Sequence, residues 1–243
     1  MQTSQFWHSQ HISWRKISST AILCLLSVFS VYAQEERMNN PEHDTKPYYF
    51  GISIGLNASQ YKFTPSKFFI DYDSITNIKP IWKPGFQLGI TGNLRISNFI
   101  DIRTIPSFIL REQAIDYTLF GDSVLKSSFE SILLSVPLEL KFKSDRQTNF
   151  RFYVCVGGKF DYDFNANNRS KRPDEILKVK PIDYGVNLGL GFEIYYPNFI
   201  LAPEIKISNG LGNSLAGDAH EITTKAIERL TSRMLIFTLH IQG

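Results

Sequence analysis

The sequence predicts an all-β fold, an eight-stranded antiparallel transmembrane β-barrel of an outer membrane. Three observations predict it: apolar and polar residues alternate in run after run, several of these runs exceed ten residues, and short connections alternate with long ones. The composition excludes other classes. With 43% hydrophobic residues and a net charge of only +3, the chain is neither disordered nor a charge-driven nucleic-acid binder.

The first 33 residues predict a secretory signal peptide. They contain no acidic residue, Arg15 and Lys16 precede an apolar stretch at 21–29, and Val31 and Ala33 stand at the minus-three and minus-one positions. A transmembrane anchor is the weaker alternative because the apolar run is too short. We therefore expect cleavage near Ala33, an extended periplasmic lead-in at 34–47 and an outer-membrane barrel domain at 48–243.

The strands are predicted where apolar and polar side chains alternate, because successive side chains of a strand point to opposite faces. The run from Phe86 to Ile96 is the clearest, with apolar residues at nearly every even position. The same pattern marks seven further strands, at 48–57, 99–110, 132–142, 150–164, 182–196, 199–208 and 233–241.

Alternation alone also fits a soluble β-sandwich. Strands of soluble proteins are typically about 5–6 residues long, whereas a strand that crosses a membrane needs about 9–11. The connections at 97–98, 143–149 and 197–198 are short, and the gaps at 59–81, 112–125, 165–180 and 209–231 are long. Short turns at one end and long loops at the other are typical of outer-membrane barrels, so we favour the barrel.

The polar faces of the strands are predicted to fill the barrel. Eight strands enclose only enough space for side chains. We expect a network of Arg95, Asp101, Arg103, Glu139, Lys141, Lys159, Asp161, Asp183, Glu193, Glu204 and Lys206, with Gln87, Asn93 and Asn187 among them. Asp161 and Asp163 share a face and could form a paired-carboxylate site, but we expect them to be neutralised by Lys159, Arg95, Arg103, Lys141 or Lys206. A barrel with so full a lumen does not suit a porin. We therefore expect the function to lie in the loops or in contacts with partners.

Residues for catalysis or metal binding are sparse. The mature chain has one cysteine, Cys155, with no Cys or His at ligand spacing. Among the histidines only His220, beside Asp218 and Glu221, is a candidate for a hydrolase site on the barrel rim. We predict no catalytic residues, no metal, no cofactor and no small-molecule substrate, and the barrel-borne hydrolase stays open as the weaker alternative.

Motifs spread over the mature chain carry a family resemblance. The front motifs are Asn39-Asn40-Pro41, Asp44, Lys46-Pro47, Phe50-Gly51 and Gly55-Leu56-Asn57. The later ones are Pro181-Ile182-Asp183-Tyr184, Leu201-Ala202-Pro203-Glu204 with Lys206, and Gly210-Leu211 with Asn213. Together they resemble the PorT (SprT-like) outer-membrane β-barrel family of the Bacteroidetes type IX secretion system.

The resemblance implies a non-enzymatic component that is required for export of C-terminally tagged cargo and, in some relatives, for gliding motility. The implied partners are the lipid bilayer and other secretion-machinery proteins, with no nucleic acid. Lys46, Pro47, Pro181, Ile182 and Asp183 are the residues we expect to contact that machinery. The alternative is a small barrel that binds an outside partner through its loops or stabilises the membrane.

Overall fold

The computed structural model describes residues 38–66, 75–119, 124–166, 179–216 and 227–243. Within these ranges the chain forms a short 3₁₀ helix, Pro41–Thr45, and ten strands. The strands are β1 (Tyr48–Pro65), β2 (Ile75–Ile81), β3 (Lys83–Arg95), β4 (Ile100–Thr104), β5 (Ser107–Leu119), β6 (Val124–Lys143), β7 (Phe150–Asp163), β8 (Ile182–Tyr195), β9 (Ile200–Gly210) and β10 (Ile227–Gln242).

The ten strands occupy eight positions in one closed antiparallel ring, which confirms the predicted fold class. Strands β2 and β3 flank Trp82 and both pair with β5. Strands β4 and β5 together fill the next position, since each pairs with both β3 and β6. Strand β1 pairs with β3 on one side and β10 on the other, and this closes the ring without a free edge.

The two faces of the wall have opposite chemistry. Apolar side chains such as Leu138 and Leu190 point outward and are 65% and 63% exposed, whereas Arg103 and Glu204 point inward and are almost completely buried. An apolar exterior around a polar interior suits a barrel surrounded by lipid, and the closed ring gives each strand position a hydrogen-bonded neighbour on both sides. Among the described residues, no helix is long and apolar enough to cross a bilayer.

The two ends of the barrel differ. We call the end with the short connections 96–99, 144–149 and 196–199 the turn end, and the opposite end the loop end. Three predicted gaps at the loop end are wrong in extent: β1 continues to Pro65, β2 begins at Ile75, β5 continues to Leu119 and β10 begins at Ile227. Backbone pairing continues there after the apolar alternation has faded. Of the gap at 165–180, residues 167–178 lie outside the described ranges.

The single strand predicted at 99–110 is interrupted at Ile105 and Pro106. Proline has no N–H to donate to a neighbouring strand. The carbonyl oxygen of Pro106 still accepts a hydrogen bond from the Ile90 N–H at 3.0 Å. The wall therefore keeps its continuity across the break, and the chain changes from β4 to β5 without leaving its position in the ring.

The described part of the lead-in is not extended as expected. Residues 41–45 form the 3₁₀ helix, with Pro41 at its start, and Asn40 before it adopts a left-handed conformation (φ 49°). Proline is favoured at the start of a helix because its ring fixes a suitable φ. Residues 38–47 fold over the turn end, and we call them the turn-end cap. The predicted signal peptide and residues 34–37 lie outside the described ranges.

Candidate functional site

Four charged side chains form the central cluster of the lumen: Arg103, Glu139, Glu204 and Lys206. Arg103 donates from Nη2 to Glu139 Oε2 and from Nη1 to Glu204 Oε2, both at 2.6 Å. Lys206 Nζ lies 2.7 Å from Glu139 Oε1 and 3.2 Å from Glu204 Oε1. These groups come from β4, β6 and β9, which the ring holds around the same level of the lumen. The two cations and two carboxylates therefore neutralise each other away from water.

The central cluster also uses the groups that a metal ion would need. Oxygen atoms of Glu139 and Glu204 and the sulfur of Cys155 lie within 4.8 Å of one another. Arg103 already contacts all three, with Nη2 3.0 Å from Cys155 Sγ, and Lys206 contacts both carboxylates. The positive charge that a metal would bring is thus supplied by side chains.

His240 lies inside the lumen beside this cluster. Its Nδ1 is 2.8 Å from Ser53 Oγ and its Nε2 is 3.6 Å from Glu204 Oε2, a Ser–His–Glu order like that of a hydrolase. Ser53 is completely buried, however, and Glu204 already binds Arg103 and Lys206. The arrangement therefore links β1, β10 and β9 without giving a substrate access. His220, the sequence-based candidate, lies outside the described residues.

A second charged layer lies nearer the turn end. Lys141 forms an ion pair with Glu193, and Lys143 Nζ lies 2.6 Å from Asp101 Oδ1. The hydroxyl of Tyr49 donates to Asp101 Oδ2 at 2.7 Å. Three of the predicted network residues, Asp101, Lys141 and Glu193, meet in this layer, and each has a partner of opposite charge; the partner of Asp101 is Lys143, which the prediction did not include.

An apolar layer, which the sequence analysis missed, also lies in the lumen. It consists of the buried side chains of Ile109, Leu133, Met234 and Ile236. The run Met234-Leu235-Ile236 is apolar on both faces of β10, and this loss of alternation is the signal that could have revealed it. The lumen is thus filled by packed hydrocarbon as well as by ion pairs.

Near the loop end, Lys159 Nζ lies 2.6 Å from Asp161 Oδ2, and Ser135 donates to the other oxygen of Asp161 at 2.6 Å. Of the five cations considered for Asp161, the ion-pair partner is therefore Lys159. Asp183 is the cross-strand neighbour of Asp161 and is also buried. Neither oxygen of its carboxylate has a hydrogen-bond partner among the described residues.

The polar residues predicted beside the network have different surroundings. Asn187 donates to Glu139 Oε1 at 3.0 Å, and Gln87 donates to Thr238 Oγ1 at 3.0 Å. The amide of Asn93 is buried without a hydrogen-bond partner among the described residues. Arg95 departs from the prediction, because it lies at the turn-end rim and donates from Nη2 to the His43 carbonyl at 2.9 Å rather than to a lumen carboxylate.

The turn-end cap is held by arginines of the barrel. The carboxylate of Asp44 accepts from Arg146 Nη1 at 3.0 Å and from Arg151 Nη2 at 2.9 Å. Arg146 also donates to the carbonyls of Asn39 and Asn40, and its guanidinium lies 3.7 Å from the centre of the Tyr195 ring. Charge-assisted bonds of this kind are among the stronger hydrogen bonds in proteins.

His43 is the residue of the cap that fills the mouth of the barrel. Its ring is 1% exposed and lies edge-on against Tyr49 and Tyr195, with ring centres 4.5 Å and 5.9 Å apart. Neither ring nitrogen has a hydrogen-bond partner among the described residues. The pKa of His43 is lowered to about 4, mainly because burial desolvates the ring; Arg95 and Lys46 add to the lowering, and Glu193 and Asp44 oppose it. The closed cap therefore favours the neutral imidazole.

The expected machinery contacts lie at opposite ends of the barrel. Lys46 and Pro47 are exposed at the turn end, where the Pro47 carbonyl accepts from the Arg95 N–H at 2.8 Å. Pro181 lies at the loop end and its carbonyl accepts from the Asp163 N–H at 2.7 Å, while Ile182 points outward and is exposed. The two groups of residues therefore cannot form one continuous surface.

A closed antiparallel barrel with an apolar wall and a charged lumen defines the class of integral outer-membrane β-barrels. A family model described as outer membrane protein beta-barrel domain matches residues 32–216. This match covers most of the chain, so the chain belongs to that family. No curated protein matches the chain in sequence.

Solved structures of small outer-membrane barrels are similar in fold. OprG from Pseudomonas aeruginosa is 14% identical with a TM-score of 0.49, covering 80% of this chain and 93% of its own. Ail, the attachment invasion locus protein of Yersinia pestis, solved with sucrose octasulfate, is 14% identical with a TM-score of 0.39, covering 82% and 100%. Neisserial surface protein A is 11% identical with a TM-score of 0.40, covering 79% and 96%.

Proposed function

We propose that this outer-membrane barrel is a non-enzymatic component of type IX protein secretion. The observation that carries the proposal is the resemblance to the PorT family, which extends from the lead-in motifs to the block between Pro181 and Asn213. A barrel shape is shared by many unrelated functions, so the shape adds nothing specific to this choice. The role would include gliding motility in organisms that glide.

The filled lumen supports a role at the ends of the barrel. The central cluster, the second charged layer and the apolar layer each bring together buried, inward-facing side chains from different strands of the eight-position ring. Such a barrel has space for side chains but none for a protein cargo. Under the proposal the barrel therefore holds or recruits other machinery proteins in the membrane, and cargo crosses elsewhere.

The orientation that we propose places the turn end in the periplasm. In a Cys155→Ser background, a single cysteine at Ser66 should react with a membrane-impermeant maleimide in intact cells, and one at Asn198 should not. Ser66 follows β1 at the loop end, and Asn198 is exposed in a connection at the turn end. If only the Asn198→Cys variant is labelled, the orientation is the opposite of the one that we propose.

The secretion role is tested by deleting the gene and following a C-terminally tagged cargo. Cargo should be made but retained in the periplasm, and the wild-type gene and the His220→Ala and Cys155→Ala variants should restore export. A Lys46→Ala/Pro47→Ala variant should fail to restore export although the barrel is inserted at a normal level. Normal cargo secretion by the deletion strain would contradict the proposal.

A second candidate is binding of an outside partner through the loop end. The observation that favours it is the continuation of β1, β5 and β6 past the last residues at which β7 and β8 are paired. The backbone of these strands continues beyond the apolar wall. If the deletion strain exports cargo normally but loses attachment to a surface, this candidate replaces the first.

A further inference from the structure

The turn end contains a built site for a carboxylate. We propose that Arg146, Arg151 and Arg95 form a receptor for an acidic peptide segment of a partner protein, and that Asp44 fills this receptor in cis when the partner is absent. The inference goes beyond the secretion role and does not rest on it. It concerns what the barrel binds at this end, whichever process the barrel serves.

The geometry of the site is that of carboxylate recognition. Each oxygen of Asp44 accepts from a different guanidinium, at 3.0 Å from Arg146 and 2.9 Å from Arg151. The two arginine side chains are only 3% and 8% exposed beneath the cap, whereas the Asp44 side chain is 30% exposed. Barrel groups hold both arginines in place, since Arg146 Nε donates to the Thr148 carbonyl at 2.8 Å and Arg151 Nη1 donates to the Tyr195 hydroxyl at 2.9 Å. The fixed part of the pair is thus the receptor, and the accessible part is the ligand.

The site has more donors than Asp44 uses. A guanidinium carries five N–H donors and cannot lose its charge. Arg151 Nε and both Nε and Nη1 of Arg95 are buried without a hydrogen-bond partner among the described residues. Arg95 forms no ion pair there, although its Nη2 already binds the cap through the His43 carbonyl. A second acceptor group brought by a ligand would therefore satisfy donors that are now left over.

The receptor also forms hydrogen bonds with the peptide backbone on the N-terminal side of the carboxylate. We therefore propose a peptide as the ligand rather than a small anion. Arg146 donates to the carbonyls of Asn39 and Asn40, upstream of Asp44. The N–H of Asn39 donates to Asn149 Oδ1 at 2.7 Å, and its side-chain amide donates to the Tyr195 carbonyl at 3.1 Å. A free phosphate or acetate would use only the arginines.

The cap is attached in a way that permits exchange. Among the described residues, its one backbone-to-backbone hydrogen bond with a strand joins the Arg95 N–H to the Pro47 carbonyl. Two features of the closed cap are unfavourable: the unpartnered ring nitrogens of His43 and the positive φ of Asn40. A ligand with the same carboxylate and without these features would compete with the cap.

The experiment measures binding of a fluorescein-labelled peptide with the sequence of residues 39–47 to the full-length folded barrel in detergent micelles, by fluorescence anisotropy. The Asp44→Asn variant, which no longer fills the receptor with a carboxylate, should bind the peptide at least 10-fold more tightly than wild type. A peptide with Asn in place of its Asp should bind the same variant at least 10-fold more weakly.

Two double variants complete the test. Asp44→Asn/Arg151→Gln should lose at least 10-fold in affinity, and Asp44→Asn/Lys62→Gln, altered at an exposed residue near the loop end, should keep the affinity of Asp44→Asn. Heat-modifiability on gels verifies that each protein is folded. Equal binding of the Asp and Asn peptides, equal binding by wild type and Asp44→Asn, or no binding to Asp44→Asn would overturn the proposal.

Discussion

The central cluster and the turn-end cap use the same chemistry with opposite results. In the central cluster, Arg103 and Glu139 are completely buried, and each contacts more than one partner of opposite charge. In the cap, Asp44 is partly exposed, and the arginines that surround it have donors to spare. The first arrangement is closed to any ligand, while the second is occupied by a segment that a ligand could replace.

The difference teaches that charge in this barrel has two roles. Buried pairs that are fully matched within the wall hold the lumen closed, and removing one partner leaves an uncompensated charge. The pair between the wall and the peripheral Asp44 is reversible, because Asp44 is partly exposed and water or another acid can compete for the arginines. Three variants and one change of pH break or sharpen this contrast, from the largest expected effect to the smallest.

Arg103→Leu should destabilise the barrel by about 3–5 kcal/mol, because it leaves Glu139 and Glu204 with Lys206 alone. Urea unfolding in detergent micelles measures the change. The matched variant Arg151→Leu, which removes one of the two cations that bind Asp44 of the cap, should cost much less. Equal losses for the two variants would remove the distinction between the cluster and the cap.

Leu188→Arg should cost about 2–4 kcal/mol, because Leu188 points outward from β8 and an arginine there would face the lipid near mid-strand. The control is Thr64→Arg, at an exposed position near the loop end of β1, which should be nearly neutral. The comparison is made by unfolding in lipid bilayers. If both variants are tolerated equally, the wall around the central cluster is not in contact with lipid.

Acid should loosen the cap while the central cluster stays intact. The pKa of His43 is about 4 in the closed cap, below its ordinary value of 6.5, so the closed form binds the proton less well. The stability that neutral His43 gives to the closed cap is fully present above pH 6.5. It falls, by up to about 3 kcal/mol, as the pH drops through 4.

The measurement is maleimide labelling of Tyr49→Cys in a Cys155→Ser background, since Tyr49 lies under the His43 ring. Labelling should accelerate between pH 6.5 and 4 after correction for the thiolate fraction. The same protein with His43→Phe should show no such acceleration. A pH response that persists in the phenylalanine variant would assign the effect to another group.

Lys83→Gln should change the free energy of unfolding by less than about 1 kcal/mol. Lys83 Nζ lies 3.0 Å from Glu112 Oε1, but both side chains are about one third exposed, and such pairs are screened by water. Urea unfolding of this variant and of Arg103→Leu compares the smallest and the largest expected losses of stability from breaking an ion pair. A loss as large as that of Arg103→Leu would show that burial does not decide the value of an ion pair here.

The eight wall positions and the lumen face could be predicted because period-two alternation is a property of each strand alone. The ion-pair partners could not, since Arg103, Glu139 and Glu204 come from three strands whose register the sequence does not give. Lys159 and Asp161 were the exception, because they lie two residues apart on one strand. Strand ends at Pro65 and Leu119 were missed where alternation fades.

The conformation and contacts of the cap could not be predicted from the sequence, for a different reason. Residues 38–47 have no periodicity, and Asp44 meets Arg146 and Arg151 across more than 100 residues of chain. Asp44 and Lys46-Pro47 did carry the family resemblance, which marked the segment without giving its conformation. The dipeptide Asn40-Pro41 is a local signal for a turn, and that signal could have been read from the sequence.

The most direct test of a closed lumen with its function at the ends is conductance in planar lipid bilayers. Purified wild-type protein should show no stable channel steps, and Asp44→Asn should show none either, because the central cluster and the apolar layer remain beneath a loosened cap. Frequent ion-selective openings of constant size in either protein would contradict the account.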